Sequence, residues 1–172
     1  MRIPSTAVLV IVALTGSAQT TWAQRAVTFG GGASNYNLQG STGTDWVVAV
    51  RAESPIRQYF IVEPSATFLR WRPAVGMKIT YLIGELSFQA QGYVGRRFRP
   101  YIGSGLGVST PTRNVPGGGQ TFFTLHAAAG ARLSVTRSLG IRAEFRARSI
   151  RPFSGRTYEV TLGIMQAQRG PN

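Results

Sequence analysis

Six carboxylates and one histidine are the residues of this 172-residue chain that could carry out acid–base chemistry. Five of the carboxylates are glutamates in the middle of segments that alternate apolar and polar residues: Glu53, Glu63, Glu85, Glu144 and Glu159. Two carboxylates held close together could act as the acid and the base of a hydrolase. Arginines share the polar side of the same alternation, and arginine is the usual partner of a buried carboxylate. Structural ion pairing therefore explains these glutamates better than catalysis does.

The remaining chemistry that the residue types allow is narrow. His126 is the only histidine, which excludes a metal site with several histidine ligands. The chain has no cysteine, which excludes disulfides, thiolate ligands, a catalytic thiol and a lipid anchor on an N-terminal cysteine. The glycine runs at 30–32 and 103–107 neither open a helix nor precede Lys-Ser/Thr, so they are not phosphate loops. We expect no cofactor, and we expect His126 to be hydrogen-bonded in a polar interior.

The segment 139–148 shows how the charged residues are positioned. Its odd-numbered residues are apolar, whereas its even-numbered residues after Gly140 are Arg142, Glu144, Arg146 and Arg148. A period of two places successive side chains on opposite faces of a sheet, so one face of this strand is apolar and the other ionic. The same alternation in other segments predicts an interior ion network: Arg51, Glu53, Glu63, Glu85, Arg132, Arg142, Glu144, Arg146, Arg148 and Glu159.

Turn-forming residues divide the chain into eight predicted strands, and no segment has a convincing helical period. The predicted strands are 27–38, 45–53, 59–71, 79–94, 100–109, 121–134, 139–149 and 157–168. Short connections at 54–58, 95–99 and 135–138 alternate with longer or glycine- and proline-rich ones at 39–44, 72–78, 110–120 and 150–156. Short turns on one side and longer loops on the other are typical of outer-membrane barrels. The prediction is an all-β fold, an eight-stranded antiparallel up-and-down transmembrane β-barrel.

Two architectures fit amphipathic strands of this kind. A soluble lipocalin-like barrel turns its apolar face inward, whereas a membrane barrel turns that face to lipid and packs polar groups inside. The polar face here has no lysine and carries about one acid per strand, which favours the membrane barrel. Eight strands leave room only for side chains, so a diffusion pore is not expected. Aromatic residues near the predicted strand ends suggest interfacial girdles: Trp46, Phe60, Trp71, Tyr81, Tyr93, Tyr101, Phe122 and Tyr158.

The N-terminus and the charge indicate export and a membrane partner. A basic start, a short apolar run and Thr-Trp-Ala before Gln24 predict a signal peptide at 1–23 and a barrel domain at 24–172. The net charge of +13 would suggest nucleic acid, but export favours an anionic membrane surface instead. Basic residues in the longer loops are candidates for contacts with lipopolysaccharide phosphates: Arg72, Lys78, Arg113, Arg151 and Arg156.

Two segments resemble a known family. The run LSFQAQ at 86–91 and the glycine-rich run RPYIGSGLG at 99–107 look like small outer-membrane β-barrel domains akin to the OmpA transmembrane domain. The resemblance implies a porin-like fold in the outer membrane of a Gram-negative-type cell envelope. It also implies insertion by the barrel assembly machinery and a monomeric state. The chain departs from the family pattern at 169–172, which lacks the terminal aromatic of many such barrels, and no peptidoglycan-binding domain follows.

Three functions are compatible with these features. The first is a non-enzymatic outer-membrane barrel that contributes to envelope integrity or surface adhesion. The second is a soluble periplasmic lipocalin-like barrel that binds an apolar ligand. The third is a lipid A-modifying outer-membrane enzyme, since a lipid A deacylase has a similar barrel. That enzyme uses a His-x-Ser arrangement with an acid, whereas this chain reads His126-Ala127-Ala128.

Overall fold

A computed structural model describes residues 25–38, 41–72, 78–112, 121–150 and 155–167. Eight antiparallel strands form one closed barrel in sequence order, which confirms the predicted fold class. The strands are β1 (Ala26–Leu38), β2 (Ser41–Arg57), β3 (Phe60–Trp71), β4 (Ile79–Gln91), β5 (Phe98–Pro111), β6 (Phe122–Ser134), β7 (Leu139–Ile150) and β8 (Gly155–Ala167). Within the described residues no helix has the length and hydropathy to cross a membrane. The predicted signal peptide lies outside the described residues.

The barrel closes between its first and last strands, where β1 pairs with β8 from Ala26↔Ala167 to Leu38↔Gly155. Both ends of the described chain therefore lie at the end of the barrel that carries the β2–β3, β4–β5 and β6–β7 connections, here called the turn end. The opposite end, called the loop end, carries the longer connections between β3 and β4 and between β5 and β6. In outer-membrane barrels, short turns are typical of the periplasmic side and longer loops of the extracellular side.

The second strand is longer than the sequence predicts. Residues 41–44 were expected in a loop because serine, threonine and glycine are turn-forming residues, but they extend β2. Thr42 pairs with Asn37 and Thr44 with Asn35, so the β1–β2 connection is tight rather than long. The expectation of a long loop is wrong here because cross-strand pairing outweighs local turn preference.

The barrel wall has an apolar outer face and a largely polar inner face. Outward residues keep much of their surface exposed, for example Ile102 and Ile164 at 67% each and Leu162 at 63%. A continuous belt of exposed aliphatic and aromatic side chains is unfavourable in water but matches the hydrocarbon core of a bilayer. The apolar face therefore meets lipid, and the polar side chains fill the lumen.

Inward-facing glycines on β5 let side chains of the neighbouring strands meet across that strand. Gly105 lies between Ser87 on β4 and His126 on β6 in the pairing register. A Cβ atom at Gly105 would lie 2.5 Å from His126 Cε1 and 2.3 Å from the Leu86 carbonyl oxygen. Any side chain here would push His126 away from Ser87. The glycine-rich strand thus shapes the lumen contacts, beyond the strand packing that its sequence suggests.

The loop end of the lumen is filled by apolar side chains, which the expectation of a uniformly polar interior missed. This apolar layer consists of Tyr36, Leu38, Val47, Leu69, Trp71, Ile79, Tyr81, Ile83 and Ile150, with Phe122 packed against it. Trp71, Tyr81, Tyr101 and Phe122 were predicted in interfacial girdles and instead face inward. Strand parity decides the face of a residue, whereas nearness to a strand end does not. The other girdle residues are exposed: Trp46, Phe60, Tyr93 and Tyr158.

Candidate functional site

All ten residues of the predicted ion network lie in the lumen, and none is more than 5% exposed. Five are arginines and five are glutamates, so their formal charges cancel. They come from six strands, and each strand presents its charges on the inward face because the charged positions share one parity. Burying a single unpaired charge would be very costly, and this balance avoids that cost.

Arg142 is central to the network because it contacts three glutamates. Its guanidinium bonds to both oxygens of Glu63, donates to Glu53 at 3.0 Å and also bonds to Glu144. Tyr101 completes this group, since its hydroxyl accepts from Arg142 Nε at 2.8 Å and donates to Glu144 at 2.6 Å. The sequence assigned Tyr101 to the membrane interface; its shared parity with the polar face of β5 was the signal that could have placed it inside.

Arg132 extends the network toward the turn end. Its Nε donates to Glu53 at 2.8 Å, and its Nη2 bonds to Gln89. The guanidinium also stacks over the Tyr101 ring at 3.9 Å from the ring centroid, a cation–π contact. Arg132 is therefore held by a carboxylate, an amide and an aromatic face together.

On the loop side of Arg142 the network continues through Arg146 and Arg148. Arg146 donates to Glu144 at 3.0 Å and to Glu85 at 2.6 Å. Arg148 donates to both oxygens of Glu85 at 2.8 Å and also bonds to Glu159. The two arginines thus share Glu85 between them.

Arg51 and Thr157 complete the contacts of the glutamates. Arg51 Nη2 lies 3.0 Å from Glu144 Oε1, and its Nε lies 4.0 Å from Glu63 Oε1. Thr157 donates to Glu159 at 3.0 Å. These links join the ten charged residues into a single network across the lumen.

His126 lies at the edge of this network beside a serine and a glutamate. Its Nε2 is 2.9 Å from Ser87 Oγ, and its Nδ1 is 3.0 Å from Glu85 Oε1. The order serine–histidine–carboxylate is that of a catalytic triad. The Nδ1 atom is not aligned for a hydrogen bond, however, and Ser87 is only 2% exposed. Glu85 is also bound by two arginines, so the group is best described as part of the lumen packing.

The sequence located His126 in the polar interior but missed its serine. The His-x-Ser pattern places the nucleophile two residues after the histidine, whereas Ser87 comes from β4, which is not adjacent to β6 in the barrel. Ser87 and Glu85 share the polar face of β4, which was visible in the alternation. Their meeting with His126 depends on the strand register, which the alternation does not specify.

The three predicted lipopolysaccharide contacts that the structure describes lie at the loop end. Lys78 and Arg156 are exposed, and Arg72 is held by Asp45, with Nε 2.6 Å from Oδ2. Arg113 and Arg151 lie outside the described residues. The sequence did not single out Arg70, an outward residue whose guanidinium lies 5.9 Å from the ring centroid of Trp46. No cluster of three or more potential metal-ligating side chains occurs in the described part of the chain.

A depression of about 830 Å³ is lined by residues of β3 to β8, among them the inward residues Ser87, His126 and Arg148. Outward residues such as Leu86, Phe88, Leu106 and Leu125 line it. Most of its lining side chains are outward and apolar, so it differs from the enclosed internal cavity that a lipocalin-like barrel would require.

Comparisons with known proteins agree with this geometry. A comparison with curated protein sequences gave no match. Among solved structures, Neisserial surface protein A has a TM-score of 0.72 at 14% identity, covering 84% of this chain and 97% of that one. Ail, the attachment invasion locus protein of Yersinia pestis, in complex with the heparin analogue sucrose octasulfate, has a TM-score of 0.58 at 13% identity, covering 84% and 98%.

The outer membrane enzyme PagL has a TM-score of 0.51 at 15% identity, covering 82% of this chain and 98% of that one. At these identities the structural likeness establishes the fold alone, and the fold is shared by an enzyme. The outer membrane protein beta-barrel domain family matches residues 6–165. The chain therefore belongs to the family of outer membrane protein β-barrel domains.

Proposed function

We propose that this protein is a non-conducting, non-enzymatic outer-membrane barrel with a role in envelope integrity or surface adhesion. The observation that carries the proposal is the filled lumen, in which ten buried charges cancel one another. Side chains fill the described part of the lumen, so we expect no ligand to bind inside it. The surface of the barrel, rather than its interior, is then the part available for function.

Two layers in series support a closed lumen. An eight-stranded barrel is wide enough only for side chains, and here arginine–glutamate pairs occupy its middle. The apolar layer follows toward the loop end, and an apolar constriction disfavours water and ions. An ion would have to break buried pairs and then cross a dry segment.

The burial of Ser87 supports the absence of enzymatic activity. A hydrolase needs its nucleophile within reach of the substrate, and this hydroxyl faces the inside of the wall at 2% exposure. Lipid A would lie outside the same wall. The Ser87–His126 contact makes a lipid A-modifying enzyme the second candidate function. The burial of Ser87 counts against that function, because a substrate could not reach the hydroxyl.

The expected partners are outer-membrane lipids, with lipopolysaccharide phosphates at the loop end. Lys78 and Arg156 are exposed there, and Arg70 lies beside Trp46 on the outer face, which is the arrangement of an interfacial anchor. Ail, a barrel of the same fold, was solved with a polysulfated heparin analogue. A cationic extracellular rim would suit anionic sugars in the same general way, and this supports the adhesion role.

Planar bilayer recordings test the closed lumen. We expect the folded protein, identified by its heat-modifiable gel mobility, to leave the bilayer conductance unchanged, because both lumen layers block ions. Detergent buffer without protein is the control. Reproducible ohmic current steps from the wild-type protein would refute a non-conducting barrel.

A further inference from the structure

Within the described residues, the exposed charged side chains of the turn end are all basic. All six carboxylates of the chain are buried, with Asp45 the most exposed of them at 8%. Four arginines at the turn end are exposed, and none forms an ion pair with any described residue: Arg57, Arg96, Arg97 and Arg137. We call these four residues the arginine collar. The collar faces its surroundings without a compensating acid on the described protein surface.

The collar arginines lie in or directly beside the three turns of the turn end, and an exposed aliphatic side chain accompanies them at each turn. Ile56 precedes Arg57 and is 53% exposed, and Val94, at 60%, is two residues before Arg96. In the third turn Val135, at 51%, is two residues before Arg137. The pairing of an aliphatic residue with an arginine thus occurs three times, once at the end of β2 and once in each of the other two turns.

Backbone and side-chain contacts connect the three turns to one another. Tyr93 donates to the carbonyl of Gln58 at 2.8 Å, and its ring meets Tyr59 edge-on at 5.9 Å between centroids. The Ser134 amide donates to the carbonyl of Arg97 at 2.9 Å, which joins the second turn to the third. Gly95, with φ of 65°, makes the tight turn that precedes Arg96 and Arg97. The collar is therefore presented on an ordered support.

We propose that the arginine collar binds the phosphate groups of anionic phospholipids in the periplasmic leaflet. Guanidinium groups pair with phosphate in a bidentate manner, and a basic cluster at a membrane surface attracts anionic headgroups. The exposed aliphatic residues favour a membrane over a soluble acidic protein as the partner of the collar. Ile56, Val94 and Val135 would be exposed to water beside a soluble partner, whereas they enter the acyl region when the arginines reach the headgroups.

Native mass spectrometry of the protein released from detergent micelles, titrated with phosphatidylglycerol, tests the proposal. The collar variant carries Arg57→Gln, Arg96→Gln, Arg97→Gln and Arg137→Gln. We expect its apparent affinity for phosphatidylglycerol to fall at least about tenfold, since each basic residue near an anionic surface adds to the attraction. Affinity for zwitterionic phosphatidylcholine should be unchanged.

The matched control removes four positive charges from the opposite rim: Arg70→Gln, Arg72→Gln, Lys78→Gln and Arg156→Gln. It should keep most of the phosphatidylglycerol affinity. An equal loss in the control would show attraction by net charge alone and would overturn the proposed role of the collar.

If the collar variant does not fold, unfolding of the wild-type protein in vesicles tests the proposal instead. Its urea unfolding midpoint should rise when one part phosphatidylglycerol is added to three parts phosphatidylcholine, and the rise should disappear at high salt. A wild type indifferent to phosphatidylglycerol also overturns the proposal.

Discussion

Glu144→Ala is expected to destabilise the barrel by about 3–5 kcal/mol, the usual cost of removing one partner of a buried ion pair. Glu144 accepts from Tyr101 at 2.6 Å and from Arg146 at 3.0 Å, and it lies 3.0 Å from Arg51. Alanine would remove a carboxylate that these groups share, and Arg51 would keep only its 4.0 Å contact with Glu63. The lumen would also gain a net positive charge.

The adjacent residue provides the control, because Phe145 points out of the wall and is 48% exposed. Phe145→Ala removes apolar surface and a stacked contact with Tyr158, which should cost about 1.5–3 kcal/mol. Urea unfolding from micelles measures both free energies. The reverse order, with Phe145→Ala more damaging than Glu144→Ala, would mean that the faces are assigned the wrong way round.

A compensating substitution separates charge imbalance from lost packing. Arg51→Met combined with Glu144→Ala restores a neutral lumen, because the pair removes one positive and one negative charge. Arg51 is chosen because Glu144 is the carboxylate nearest to it. We expect the double variant to lose less stability than the sum of the two single variants. Strict additivity would count against electrostatic coupling between the two residues.

Leu162→Arg is expected to cost about 2–4 kcal/mol, because arginine at the middle of the bilayer must lose its hydration. Leu162 lies near the centre of β8, faces outward and is 63% exposed. The same substitution at Leu133 is the matched control. Leu133 is also outward but is next to the end of β6, and arginine there should cost about 0–1 kcal/mol because its side chain reaches the headgroups.

Unfolding in phosphatidylcholine vesicles gives both values on one scale. In a barrel whose outer face met water, arginine would be tolerated equally at both depths. An equal, small effect of Leu162→Arg and Leu133→Arg would therefore contradict a lipid-facing outer wall. The difference between the two variants matters more than either value alone, since general effects of arginine on the strand cancel.

The period of two predicted most of this fold because it depends on local sequence alone. Eight strands, their faces and the ten lumen charges follow from parity. Residues 41–44 were misread because their side chains favour turns, and the pairing that makes them a strand comes from β1. Trp71, Tyr81, Tyr101 and Phe122 face inward against expectation, because strand parity and not nearness to a strand end decides the face of a residue.

The contacts inside the lumen depend on register, which parity leaves open. His126 meets Ser87 across Gly105 because three strands align those residues in one row. A shift of two residues in either pairing would keep every face and change every partner. The sequence therefore predicts which residues are inside but not which of them touch.

Two tryptophans allow the most direct measurement of the two faces. Trp46 is outward and 41% exposed, whereas Trp71 lies in the apolar layer of the lumen at 5% exposure. Trp22, the third tryptophan, falls in the predicted signal peptide. In the protein without its predicted signal peptide, the variants Trp46→Phe and Trp71→Phe each keep one fluorescent tryptophan. Brominated phosphatidylcholine quenches the fluorescence of an indole that touches acyl chains. We expect strong quenching of Trp46 and weak quenching of Trp71. Equal quenching of both, or stronger quenching of Trp71, would contradict an apolar outer face in lipid around a filled lumen.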